Sequence, residues 1–312
     1  MDLHCSEDHS TSTTLATAAV DAAVTLDTDE IIEILLRVVE NESAYPRPID
    51  YLATVQTHGM DALWRRRVCD WMVNTRRIFD LSADTVACAV HLMDRYLCVL
   101  SVDKIVLQLV SVICLSIASK VHENRPITME EIDLLCQGKY PRQEMIKMEM
   151  RILDVAAWKL NPPTAVGIAR DLLALELSSS LGVCLTEIET MVTHLLDACL
   201  SEYVLVSALE SVKALAALEA VYLTQLHIAS PVVQYALDEL RFPMDLFDEC
   251  VQVMVAVSQK LFFPNESPLE AASGKRHAPT QRSPTPTGVD TPPHLLAAQS
   301  PISHVHKKAR HS

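Results

Sequence analysis

Val106–Ser119, reading VLQLVSVICLSIAS, is apolar or small almost all the way round a helical wheel. A helix with one greasy stripe lies on a surface, whereas a helix apolar on every side is wrapped by others, so this stretch marks the central rod of an all-α bundle. Lys120 emerges where the rod ends. Working outward, helical periods fall at residues 60–79, 83–98, 103–121, 128–137 and 141–157. Their punctuation is chemical. Ser82 and Asp103 suit N-caps, Pro126 with Thr128, Glu130 and Glu131 restarts the chain, and Pro141 suits a first turn. Asn161-Pro162-Pro163 is a hard stop. A second series then falls at 163–178, 184–202, 204–226, 230–240 and 244–262. Its third member is rich in Ala208, Ala214, Ala216, Ala217 and Ala220, which let neighbouring helices approach closely. Two sets of five over similar lengths read as a repeat of pattern rather than identity.

Composition supports this reading. The 312 residues can bury two cores, and 49% hydrophobic residues with 6 Gly and 5% aromatics suit helices better than turn-rich sheet. No proline occurs from Ile49 to Arg125. The net charge of −14 argues against direct nucleic-acid binding, which needs a basic face. Residues 265–312 carry a net +3, leaving −17 on the rest. Nine cysteines show no CxxC and no Cys/His ligand spacing, so neither a metal nor a cofactor is expected. Several, such as Cys114, sit in apolar helical runs as small hydrophobes, which suits a reducing compartment. No run reaches the roughly 18 uninterrupted apolar residues of a membrane span. Neither DDxxD nor HxxxH occurs, which argues against the helical enzyme classes that use such acidic or metal-binding clusters.

The ends differ from the middle. Residues 1–27 are rich in Ser, Thr, Ala and Asp without apolar period and read as flexible. Thr28 begins a helix with Asp29, Glu30 and Glu33 in its early turns and Ile31, Ile34, Leu35 and Val38 as its buried stripe, closed by Pro46 and Pro48. Residues 264–312 turn to Pro, Ser, Thr, Ala and His and read as a disordered tail.

Lys120 and Glu149 are charges set against apolar runs. Glu149 has Met145, Ile146, Ile152 and Leu153 at its i−4, i−3, i+3 and i+4 positions, so on a helix its carboxylate projects from an apolar face. A buried carboxylate without a partner is costly, and both charges read as waiting for one.

These residues resemble the cyclin family, the D-type (G1) cyclins in particular. Five signature positions stand in order: Arg65 in WRRRVCDWM, Asp94 in HLMDRYL, Leu109 in LQLV, Lys120 in IASK and Glu149 in KMEMRIL. The resemblance covers residues 28–160 well and 161–263 weakly. It implies two tandem five-helix cyclin boxes: an N-terminal box with a leading helix over 28–160 and a C-terminal box over 161–263. It also implies a non-catalytic subunit that binds and activates a cyclin-dependent protein kinase. On that resemblance Arg65 and Asp94 would form an internal ion pair tying the first helix to the second. Lys120 and Glu149, with Ile117 and Leu153, would grip the kinase beside its mobile regulatory helix.

Further expectations follow from the resemblance. Leu3-His4-Cys5-Ser6-Glu7 is the LxCxE pattern by which D-type cyclins dock retinoblastoma-type pocket proteins, with Leu3 and Cys5 filling apolar pockets and Glu7 accepting hydrogen bonds. Trp64, Arg67, Trp71, Leu107 and Gln108 match the patch that recognises arginine-and-leucine motifs in substrates and kinase-inhibitor proteins. Here Trp64 replaces a methionine, Arg67 an apolar residue and Asn74 an acid, and a cation at Arg67 repels a docking arginine. Ser283, Thr285, Thr291 and Ser300 precede prolines and resemble proline-directed phosphorylation sites. Lys307, Lys308 and Arg310 form a short basic cluster that suits a protein of nucleus and cytoplasm. The alternative on the same fold is a transcription-associated cyclin or a cyclin-fold scaffold.

Overall fold

The structure is a computed structural model describing residues 27–176 and 184–264. Among the described residues every regular element is helical. The chain runs α1 (Thr28–Glu42), α2 (Tyr51–Thr54), α3 (Ala62–Phe79), α4 (Ala83–Leu97), α5 (Lys104–His122), α6 (Met129–Leu135) and α7 (Arg142–Val155). It continues with α8 (Ala165–Glu176), α9 (Leu185–Cys199), α10 (Glu210–Val221), α11 (Pro231–Asp238) and α12 (Phe247–Phe262).

The helix starts follow from local chemistry. Ser82 Oγ accepts from Thr85 N, and Asp103 accepts from the amides of Ile105 and Val106, each satisfying orphan N–H groups of a first turn. Thr128 and Glu131 form a reciprocal capping box at α6. Pro141 stands at the N-cap of α7, one position before the first turn, because its extended ψ of 143° lies outside the helix.

Two hydrophobic clusters organise the molecule. The first gathers α2–α7 around α5, whose Val110, Cys114, Leu115 and Ala118 are fully buried. By length and composition α5 would cross a membrane, but 67% of its apolar window is buried inside the protein, as befits a core helix. Burying each such leucine is worth about 1.5–3 kcal/mol. The second cluster gathers α8–α12 around α10, where Ala214, Ala216, Ala217 and Ala220 are inaccessible and α8, α9 and α12 pack closely over them. α4 and α5 make the most extensive helix pair of the first cluster, and α10 and α12 that of the second.

Three local readings are corrected. The leading helix α1 packs on α8, and its Ile31 and Leu35 belong to the second cluster although sequence order groups it with the first. Ile34, read as part of its buried stripe, is exposed, because the packed face of α1 is formed by Ile31 and Leu35 with Val38 and Val39 partly buried beside them, and leaves Ile34 at its edge. The single helix read at 204–226 is divided into a 3₁₀ turn at Tyr203–Leu205, α10, and a π turn at Tyr222–Leu226 that ends at the left-handed His227. α2, a single turn capped by Asp50, has too few residues for a periodic signal.

Candidate functional site

The end of α5 and the middle of α7 lie side by side, and there Lys120 Nζ donates to Glu149 Oε1. Lys120 occupies the last turn of α5, where a cation suits the helix dipole. Its side chain is 45% exposed and that of Glu149 22% exposed. The two charges read from sequence as unpartnered therefore meet each other across two helices, at the surface rather than in the core. Lys147, a nearer cation in sequence, is taken by Glu144 at 2.9 Å, and Arg151 stands over the Tyr96 ring at 6.0 Å.

Ile117 and Leu153 are 2% and 8% exposed and belong to the first core, so they anchor the two helices and present no free surface. The exposed apolar neighbours are instead Val121, beside Lys120, and Ile146 and Met150, on either side of Glu149 along α7. Periodicity grouped Ile146 with a buried face; Met145, Ile152 and Leu153 fill that face and leave Ile146 outside. An ion pair bordered by exposed aliphatic side chains is chemically suited to recognition. The pair gives little stability while solvated and gains direction and strength when a partner excludes water.

Arg65 of α3 and Asp94 of α4 lie in the interior with side chains 3% and 6% exposed. The guanidinium donates through Nε to Asp94 Oδ1 at 2.9 Å and through Nη2 to Oδ2 at 2.7 Å, a bidentate fork. Its Nη1 donates to the Leu200 carbonyl at 2.8 Å, beyond the end of α9. Tyr51 Oη donates to Asp94 Oδ1 at 2.6 Å, and Tyr203 sits edge-on to Tyr51 with centroids 5.3 Å apart. Burial alone disfavours the Arg65 charge, but the Asp94 carboxylate outweighs it and holds the pKa above its ordinary value. Burial, reinforced by Asp94, likewise pushes the Tyr51 phenol far up, so it stays a donor.

Two further arginines of α3 extend this seam. Arg66 pairs with Glu202 at 2.9 Å and Arg76 with Asp197 on α9. Sequence reading found Arg65 and Asp94 but missed Tyr51, Tyr203 and the Leu200 carbonyl, for which no local pattern signals a long-range hydrogen bond.

On the outer side of α3, Trp64 carries two cations on its ring, Lys104 Nζ at 4.3 Å and Arg67 Cζ at 4.9 Å from the centroid. Trp71 and Gln108 are partly exposed and Asn74 is exposed, whereas Leu107 is 1% exposed and acts as floor rather than contact. This face is aromatic and cationic instead of purely apolar. Leu3, Cys5 and Glu7, and Ser283, Thr285, Thr291 and Ser300, lie outside the described residues. Among the described residues no group of three His, Cys, Asp or Glu is arranged to hold a metal ion.

Residues 33–161 match the family described as Cyclin, N-terminal domain. Cyclin-A3-1 of Oryza sativa subsp. japonica is 31% identical over 183 residues, 59% of this chain and 48% of its own length. Cyclin-B1-1 of the same organism is 32% identical over 200 residues, 64% of this chain and 43% of its own. The chain thus spans less than half the length of these curated relatives. The solved structure of a viral cyclin from herpesvirus saimiri resembles it with a TM-score of 0.61 at 19% identity, covering 73% of this chain and 97% of the viral one. That likeness is one of fold.

Proposed function

We propose that this chain, whose residues 33–161 match the family described as Cyclin, N-terminal domain, is a non-catalytic regulatory subunit that binds and activates a cyclin-dependent protein kinase. The observation that carries this reading is the Lys120–Glu149 pair, exposed at the junction of α5 and α7 and bordered by Val121, Ile146 and Met150. As an isolated surface pair it is worth about 0–1 kcal/mol to the fold. Against a kinase the same groups anchor the partner's regulatory helix in its inward position, where the kinase assembles its own Lys/Glu pair and magnesium site. Moving a kinase from mostly inactive to mostly active takes about 5.5 kcal/mol of differential binding, within reach of a helical interface with apolar and charged anchors.

The finer reading is a D-type-like cyclin acting at the G1/S transition, and what supports it is the Leu3/Cys5/Glu7 motif in an acidic N-terminal segment. In this reading the motif brings a retinoblastoma-type pocket protein to the kinase. The cationic Trp64 face is a poor acceptor for arginine-led docking peptides of substrates and inhibitors, which makes the N-terminal motif the principal substrate contact.

The test is reconstitution with candidate cyclin-dependent kinases and a pocket-protein substrate. Activation is expected with the native chain, its loss with Lys120→Ala/Glu149→Ala, and selective loss of pocket-protein phosphorylation with Cys5→Ala/Glu7→Ala. Activation of no kinase would sink the regulatory reading and point to a scaffold of the same fold. Equal phosphorylation by the Cys5/Glu7 variant would remove the D-type part alone.

A further inference from the structure

Arg67 of α3 and Lys104 of α5 meet over one ring. The guanidinium carbon of Arg67 lies 4.9 Å and Lys104 Nζ 4.3 Å from the centroid of Trp64, so the starts of two helices gather two like charges at a single aromatic side chain. Among the described residues neither forms an ion pair with a carboxylate. Arg67 differs in this from its neighbours on α3, where Arg65 pairs with Asp94, Arg66 with Glu202 and Arg76 with Asp197.

The acids closest in sequence are engaged elsewhere. Asp61 Oδ1 accepts from Trp64 N at 2.9 Å, and Asp103 Oδ1 accepts from the amides of Ile105 and Val106 at 2.9 and 2.8 Å. Each caps a helix whose first turn carries about half a positive charge, which offsets the carboxylate in part. Asp70, the next acid along α3, faces Arg66 and accepts from Ser201. Two like charges held together without a counter-ion repel, and an anion that bridges them relieves the repulsion.

Apolar surface adjoins the cations. Leu63 and Ile105, next to Trp64 and Lys104 in the chain, are 53% and 68% exposed. Trp71 is partly exposed two turns along α3 from Trp64. That interval is about 10 Å on a helix, a length an extended peptide covers in about three residues.

We propose that this face of α3 and α5 binds an acidic linear segment of a partner protein, with a carboxylate against Arg67 and Lys104 and an aliphatic side chain three positions away against Trp71. The planar fork of Arg67 offers two parallel donors to one carboxylate, and Lys104 adds a point charge. Held on the Trp64 ring, both side chains are ordered before the partner arrives, which lowers the entropy lost on binding. The face is separate from the Lys120–Glu149 surface, and its binding does not depend on the kinase reading.

The experiment measures binding of dye-labelled, end-capped peptides to the full chain by fluorescence anisotropy. The probe carries two glutamates, two alanines and a leucine in that order; its controls replace the glutamates by glutamines or arginines, or the leucine by alanine. The expected result is saturable, salt-sensitive binding of the probe, at least tenfold weaker binding of the glutamine peptide, several-fold weaker binding of the alanine peptide and none of the arginine peptide. Arg67→Glu/Lys104→Glu should reverse the preference, taking the arginine peptide and rejecting the acidic one. Lys104→Gln, at the exposed first position of α5, should weaken the probe several-fold and decides the matter should the double variant not fold. No saturable binding, equal binding of the acidic and arginine peptides, or probe binding unchanged in Lys104→Gln would each overturn the assignment. So would a tenfold gain in probe affinity on neutralising Asp2, Glu7 and Asp8 together, which would make the chain's own N-terminal segment the occupant. Self-association that the probe disperses would overturn it too, by giving the face to a second copy.

Discussion

Arg65–Asp94 and Lys120–Glu149 are both ion pairs between two helices of the first half, yet they do opposite work. The first is almost inaccessible and each of its polar atoms has a partner: two forked bonds, a tyrosine hydroxyl and a backbone carbonyl from the other half. The second is open to solvent and bordered by aliphatic side chains, Val121, Ile146 and Met150, that are exposed among the described residues. Burial makes a charge expensive to orphan, so the inner pair is committed to the fold. Exposure makes a charge cheap to remove, so the outer pair is free to serve a partner. The contrast divides charges spent on the fold from charges left available to a partner.

The largest test breaks the inner pair. Arg65→Ala should cost about 3–5 kcal/mol in urea unfolding, because Asp94 stays buried without its cation. A loss under about 1 kcal/mol would show that water reaches the site and that the two pairs are alike.

Next comes a pH test of the same interior. Burial sets the folded pKa of His91 at about 4, below its ordinary 6.5, so the unfolded chain binds the extra proton between those values. Stability should therefore fall as pH drops from about 6.5 towards 4 and level off below, by about 1–2 kcal/mol after allowance for partial solvent access. His91→Gln should remove that component of the slope. An unchanged slope in the variant would assign it to other groups.

The outer pair gives a smaller stability effect and a larger functional one. Lys120→Ala should change unfolding by less than about 1 kcal/mol, with a midpoint nearly indifferent to salt. Kinase affinity measured by calorimetry should fall at least tenfold. A large stability loss with intact affinity would reverse the roles of the two pairs.

Smallest is Ile146→Ser. Exposed on α7, it should alter stability by no more than about 0.5 kcal/mol while weakening kinase binding. Unaltered binding would confine the recognition surface to the charges.

Helix positions were largely legible in the sequence, because apolar period and capping residues act locally. Asp103 and Thr128 announce their helices to within a residue. What a helix packs against is not local. The stripe of α1 was visible, but its choice of α8 over the adjacent α3–α5 bundle was not, nor was the exposure of Ile34 and Ile146 at the edges of their stripes. At the candidate site Lys120 and Glu149 were legible one by one, since each breaks the pattern of its own helix. That they meet depends on the packing of α5 on α7. The Leu200 carbonyl carries no side-chain signature at all, so the partner of Arg65 across the two halves had to come from the structure.

That hydrogen bond from Arg65 to Leu200 has a consequence for biosynthesis. It joins residues 135 positions apart, so the guanidinium is made long before its last acceptor. At roughly 5–20 residues per second, the interval on the ribosome is on the order of ten seconds. During it α3 and α4 can pair, but the arginine keeps one unmatched N–H, and Val206, which completes the first core, has not yet emerged. The N-terminal half therefore waits, nearly formed, for the segment that follows α9 in the second, and that interval is when a chaperone or a protease would find it.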